Sequence, residues 1–113
     1  MHEYSITSSI VNIIEDIGKK NNLKKVNRVN FDLNPLANIE PDSIRFYYEY
    51  MTAGNKMLKN AQLIFNIVKL KIICKNCDNL FEREEFIPVC PKCGSSKVKI
   101  SDADDIKIIS VES

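Results

Sequence analysis

One histidine, His2, is all the imidazole this 113-residue chain carries. A nucleophile–histidine triad therefore cannot be assembled anywhere else along it, and no phosphate-binding loop offers another reaction class. Charge of one sign is equally scarce. Sixteen Lys and Arg face fifteen Asp and Glu for a net +1, which argues against a general polyanion binder. No apolar run approaches the roughly 18 residues needed to cross a bilayer. The opening MHEYSITSSI lacks the basic and long apolar regions of a signal peptide. The chain thus reads as cytoplasmic, with no membrane partner. There is no internal repeat and no low-complexity segment, so the length bounds it to one domain or one domain plus a small module.

What is present is a cysteine pattern. Cys74, Cys77, Cys90 and Cys93 are the only four cysteines, spaced C-x2-C, twelve residues, C-x2-C. Two residues between thiolates let one tight turn present both sulfurs to the same ion, and two such turns give the tetrahedron Zn²⁺ accepts most readily. Pro91 and Gly94 suit the turns, Gly94 at a position that needs positive φ. In a reducing cytosol, paired cysteines hold metal more often than they form disulfides, the competing reading. Four thiolates fill all four positions, so the expected role is structural rather than catalytic. Residues 69–100 carry seven basic and four acidic residues, a weak basic face without a cluster of exposed aromatics for base stacking. Nucleic acid is therefore not an expected partner.

The remaining pattern predicts an α+β fold: a small three-stranded sheet packed with two helices, plus an inserted four-cysteine zinc-ribbon-like module. Ile6, Ile10, Ile13, Ile14 and Ile17 share one face of a helix over 5–21, with Ser5 or Thr7 as cap and Asn21–Asn22 as stop. That start leaves the first four residues as an exposed tip. Val29, Phe31 and Leu33 alternate in a strand over 25–33, which Asn34–Pro35 breaks. Pro41 opens a second helix running to Thr52, with Ile44, Tyr47, Tyr48 and Met51 inward and Gly54 as stop. Ala61, Leu63, Phe65 and Ile67 form a second strand, and Ile106–Val111 a third that returns to the first sheet. The division is 1–70 with 104–113 for the α+β part and 71–103 for the zinc module, which is too small to fold without its metal.

The N-terminus carries a second chemistry. The terminal amine of Met1, the backbone nitrogen of His2 and its imidazole can close chelate rings around one small ion. The backbone nitrogen of Glu3 fills the fourth corner. Ni²⁺ and Cu²⁺ favour such nitrogen-rich planar sets, whereas Zn²⁺ gains nothing from planarity. Histidine is a bulky second residue, which preserves Met1 and the ligand register. Glu3 and Glu40 are candidate carboxylates for axial contact or for the surroundings of the ligands.

Met1–Ser5 (MHEYS) resembles the opening of the HypA family of hydrogenase nickel metallochaperones. The resemblance runs on through Val26–Phe31 (VNRVNF), Ser43–Glu49 (SIRFYYE), Ala53–Leu63 (AGNKMLKNAQL), the two C-x2-C pairs and Ile106–Glu112 (IKIISVE). It implies a protein that binds Ni²⁺ weakly and reversibly at its N-terminus, His2 being the principal ligand. It implies Zn²⁺ at Cys74, Cys77, Cys90 and Cys93. The implied partners are a HypB-type GTPase and the [NiFe]-hydrogenase large subunit, with urease and its accessory proteins served in some bacteria. No enzymatic activity is implied. The zinc module here has no histidine of its own.

A zinc-ribbon module for protein or nucleic acid, with an incidental N-terminus, is the alternative. Phe46, Tyr47, Tyr48 and Tyr50 are expected to pack mainly in the core. Lys19, Lys20, Lys24 and Lys25 form a solvated helix end. Asp102, Asp104 and Asp105 lack the spacing of a calcium loop and form a polar return linker.

Overall fold

The computed structural model describes residues 3–101 and 104–113. Two helices and six strands form in the order α1 (Glu3–Lys20), β1 (Arg28–Leu33), α2 (Pro41–Thr52), β2 (Gln62–Ile67), β3 (Leu70–Cys74), β4 (Leu80–Arg83), β5 (Val98–Ile100) and β6 (Ile106–Glu112). They build two three-stranded sheets, ordered β2-β1-β6 and β4-β3-β5. The expected α+β class holds, and β6 does return to the first sheet.

Helix α1 begins at Glu3, two residues before the expected start, so Glu3 and Tyr4 are helical rather than part of a loose tip. Ser5 and Thr7, the expected caps, both lie inside it. Thr7 is buried inside the helix, its Oγ1 donating to the Glu3 carbonyl at 2.5 Å. The buried line is Thr7, Ile10, Ile14 and Gly18. Ile13 lies off that line and is 48% exposed, a departure from the expected isoleucine face. The end is as read from the two asparagines. Asn22 adopts φ 55°, Asn22 N–H donates to the Lys19 carbonyl and Leu23 N–H to the Gly18 carbonyl, satisfying the last carbonyls in a Schellman turn.

Helix α2 runs from Pro41 to Thr52 as expected. Pro41 loses nothing at a position whose N–H has no helical partner. Glu40 is the N-cap, its carboxylate accepting from Asp42 N–H. Ala53, not Gly54, forms the C-cap. Of the four aromatics, Tyr48 alone is buried, whereas Phe46 and Tyr50 are 67% and 75% exposed. The expectation of core packing is corrected for those two, because they lie on the helix face away from the buried Ile44, Tyr48 and Thr52.

Strand β1 is central. It pairs parallel with β2, Val29 opposite Leu63 and Phe31 opposite Phe65, and antiparallel with β6 around a bulge at Asn30/Phe31. Its alternation buries Val29, Phe31 and Leu33. With Ile10, Ile14, Val26, Ile44, Tyr48, Leu58 and Leu63, the first two form one core. Phe65 stacks on Phe31 with centroids 4.9 Å apart. Ile67, expected inward, is 68% exposed at the last position of β2. A second, separate cluster (Leu70, Ile72, Cys74, Phe81 and Cys90) belongs to the second sheet. The three short strands of that sheet are not distinguished in the sequence.

Tyr48 offers a test of this core. Its hydroxyl donates to the Leu58 carbonyl at 2.7 Å, and burial pushes its pKa up from 10 to about 12. The unfolded chain ionises first, so the stabilisation is complete below pH 10 and is lost as pH rises through 12. Alkaline unfolding is expected to begin above pH 10 and to shift in Tyr48→Phe. Coincident alkaline melts for the two proteins would contradict this.

Candidate metal centres

The four cysteine sulfurs converge within 4.8 Å of one another. Cys74 ends β3, placing its sulfur at the mouth of a turn that Asp78 N–H closes on the Cys74 carbonyl at 2.9 Å. Gly94 N–H closes the second turn on the Cys90 carbonyl at 2.9 Å. Each turn then passes through a left-handed residue, Asp78 at φ 60° and Gly94 at φ 74°. Gly94 is legible in the sequence. Asp78 is not, although aspartate tolerates this conformation better than most side chains.

The sulfur separations fit a metal ion rather than a disulfide. Cys74 and Cys93 are 3.6 Å apart, Cys77 and Cys90 3.7 Å. A disulfide needs about 2.05 Å. A tetrahedron with Zn–S arms of about 2.3 Å has edges of about 3.8 Å. The donor set therefore fits a structural zinc ion held by four thiolates.

Two asparagines missed in the sequence support the sulfurs. Asn76 Nδ2 donates to Cys93 Sγ at 3.7 Å, and Asn79 Nδ2 to Cys90 Sγ at 3.8 Å. Such donors stabilise sulfur charge and orient the ligands. The Cys77 and Cys90 thiols are unequal. Burial opposes ionisation of Cys90, but the N–H groups of Cys93 and Lys92 and the thiols of Cys77 and Cys93 outweigh it, bringing the pKa down to about 6. The Asn79 N–H favours the Cys77 thiolate, yet burial and the three other thiols push Cys77 up to about 12. A divalent cation among them would favour the thiolate form at every position.

At the other end of the chain, His2 lies outside the described residues. Glu3 opens α1, and its Oε2 accepts from Glu40 N–H at 3.2 Å. The first turn of α1 is thereby tied to the N-cap of α2. Two carboxylate residues separated by 37 positions share one corner. Tyr4 packs edge-on against Tyr47 beside it, centroids 5.3 Å apart.

Fold and site together define a small α+β metalloprotein with a four-thiolate zinc centre carried on a sheet of its own. The whole chain, residues 1–113, matches the family described as hydrogenase/urease nickel incorporation, metallochaperone, hypA. It is 37% identical over 100 residues to the hydrogenase maturation factor HypA of Caldanaerobacter subterraneus subsp. tengcongensis, covering 88% of this chain and 87% of that one. It is 36% identical over 112 residues to the Aquifex aeolicus factor of the same name, covering 99% and 96%. The solution structure of the Ni metallochaperone HypA from Helicobacter pylori superposes with a TM-score of 0.71 at 28% identity, covering 99% of this chain and 97% of that one. The chain belongs to the HypA family of nickel metallochaperones that act in hydrogenase maturation. Among the described residues, no helix is long and apolar enough to cross a membrane.

Proposed function

We propose that this protein binds Ni²⁺ reversibly at its N-terminus and delivers it during maturation of [NiFe]-hydrogenase, with urease as a second recipient. The family match across residues 1–113 carries the reading. His2 supplies the imidazole. The amine of Met1 and the backbone nitrogens of His2 and Glu3 complete a planar nitrogen set suited to Ni²⁺. The carboxylates of Glu3 and Glu40 stand around it, in keeping with the hydrogen bond that joins these residues. The α+β part, residues 1–70 with 104–113, is the nickel-handling unit, and residues 71–103 are the structural zinc module. The protein works without catalysis of its own, in the cytoplasm, with a HypB-type GTPase and the hydrogenase large subunit as partners. A cargo site must release its metal, and a few ligands at a chain terminus can let go more readily than a buried cage.

Titrating Ni²⁺ into zinc-loaded, untagged protein is expected to reveal one site of roughly micromolar affinity, about −8 kcal/mol. The same titration of His2→Ala should show no such site, with zinc content and fold unchanged. Equal nickel affinity in both proteins would sink the terminal site.

A further inference from the structure

The outward side of α2 is unusual for a solvent-facing helix. Phe46 and Tyr50, one turn apart, are 67% and 75% exposed. Phe46 meets Tyr47 edge-on with centroids at 5.5 Å, and Tyr47 meets Tyr4, itself 56% exposed, at 5.3 Å. The result is an aromatic stripe that begins one residue from Glu3 and continues along α2. Aromatic side chains of this kind are enriched in the buried centres of protein interfaces, where they supply large contact area at small entropic cost.

The charged side chains around the stripe are mainly acidic. Glu3, Glu40, Asp42 and Glu49 flank it, whereas Arg45 is the only cation in α2 or in the first turn of α1. The Arg45 guanidinium is drawn to Asp42 at 2.9 Å, to the Leu63 carbonyl and over the Phe65 ring, toward the edge of the sheet. The complementary surface is therefore an apolar concavity rimmed by lysine or arginine.

We propose that this aromatic stripe seats the protein that exchanges nickel with the adjacent terminus, in an apolar concavity with a basic rim. The inference rests on the nickel-delivery reading above. Ligand exchange requires the acceptor's ligands to come within bonding distance of the donor's, so the surface around the terminus becomes interface during transfer. The stripe is an apolar face contiguous with that corner, and its acids steer a basic-rimmed partner onto it.

The test compares parent, Phe46→Ser/Tyr50→Ser and His2→Ala, each zinc-loaded, for binding to the purified HypB-type GTPase of the same organism by calorimetry. Nickel affinity and self-association by ultracentrifugation are measured alongside. The double variant is expected to bind the GTPase at least tenfold more weakly while its nickel affinity stays within twofold, and added salt is expected to weaken the parent complex. Unchanged GTPase affinity overturns the proposal, as does a parent that does not bind the GTPase. A stripe whose loss instead dissolves a dimer of this chain overturns it in favour of self-association. Nickel binding that survives in His2→Ala overturns the terminal site, a result distinct from any reading of the stripe.

Discussion

Cys74→Ala is expected to release zinc and unfold the second sheet while the first sheet stays folded. Cys74 serves twice, as a thiolate donor and as a fully buried member of the cluster with Leu70, Ile72, Phe81 and Cys90. Its loss opens a three-donor site and removes core volume together. That cluster is small, and a segment of roughly 30 residues buries too little apolar surface to offset its own conformational entropy. Structural zinc contributes about 10–16 kcal/mol in peptides of comparable size at neutral pH, far more than the cluster can replace. Amide exchange should therefore lose its protection throughout β3, β4 and β5 and keep it in β1. A strong chelator should reproduce the pattern in the parent. Uniform loss of protection along the whole chain would contradict it, since Val29 and Phe31 of β1 belong to a core cluster separate from that of the zinc-bearing strands.

Phe31→Ala should have the largest effect on the first sheet. Phe31 is fully buried at the middle of the central strand, facing Phe65 of β2 and Ile108 of β6 in register and stacking on the Phe65 ring at 4.9 Å. Truncating such a phenylalanine costs about 3–5 kcal/mol, against a typical total stability of about 5–15 kcal/mol. The urea midpoint should fall steeply with little change in slope. Phe31→Leu, which keeps most of the volume, should cost less than about 1.5 kcal/mol. Equal midpoints for Phe31→Ala and the parent would show that the stacked pair is not the centre of this core.

Where the sequence was legible, a local rule and the tertiary environment agreed. Pro41 and Thr52 bound α2 because proline is tolerated only in the first turn, and the buried Ile44, Tyr48 and Thr52 recur at helical spacing. Val29, Phe31 and Leu33 alternate because β1 has one face on the helices. The cysteine spacing specified its own geometry. Legibility failed where neighbours decide. Ile13 has the right residue type for a helical core and falls beside the line that meets the sheet. Ile67 continues an alternation past the point where anything covers it. The start of α1 was misplaced because its threonine, a cap residue by type, is spent inside the helix. Strands of three to five residues in the second sheet are too short for periodicity to show, and the thiolates organise them.

Because β1 lies between β2 and β6, the order of synthesis matters. The ribosome delivers α1, β1, α2 and β2 first, then both cysteine pairs, and only afterwards β6. A nascent chain can therefore acquire zinc while the opposite edge of β1 is still bare. Until β6 arrives, that edge exposes unpaired backbone amides and carbonyls, a template for wrong pairing with other chains. Zinc starvation would then do more than disorder the cysteine turns. It would leave a loose, unfolded tether between β2 and the strand that must find its way back, widening the interval in which the growing protein is prone to aggregate.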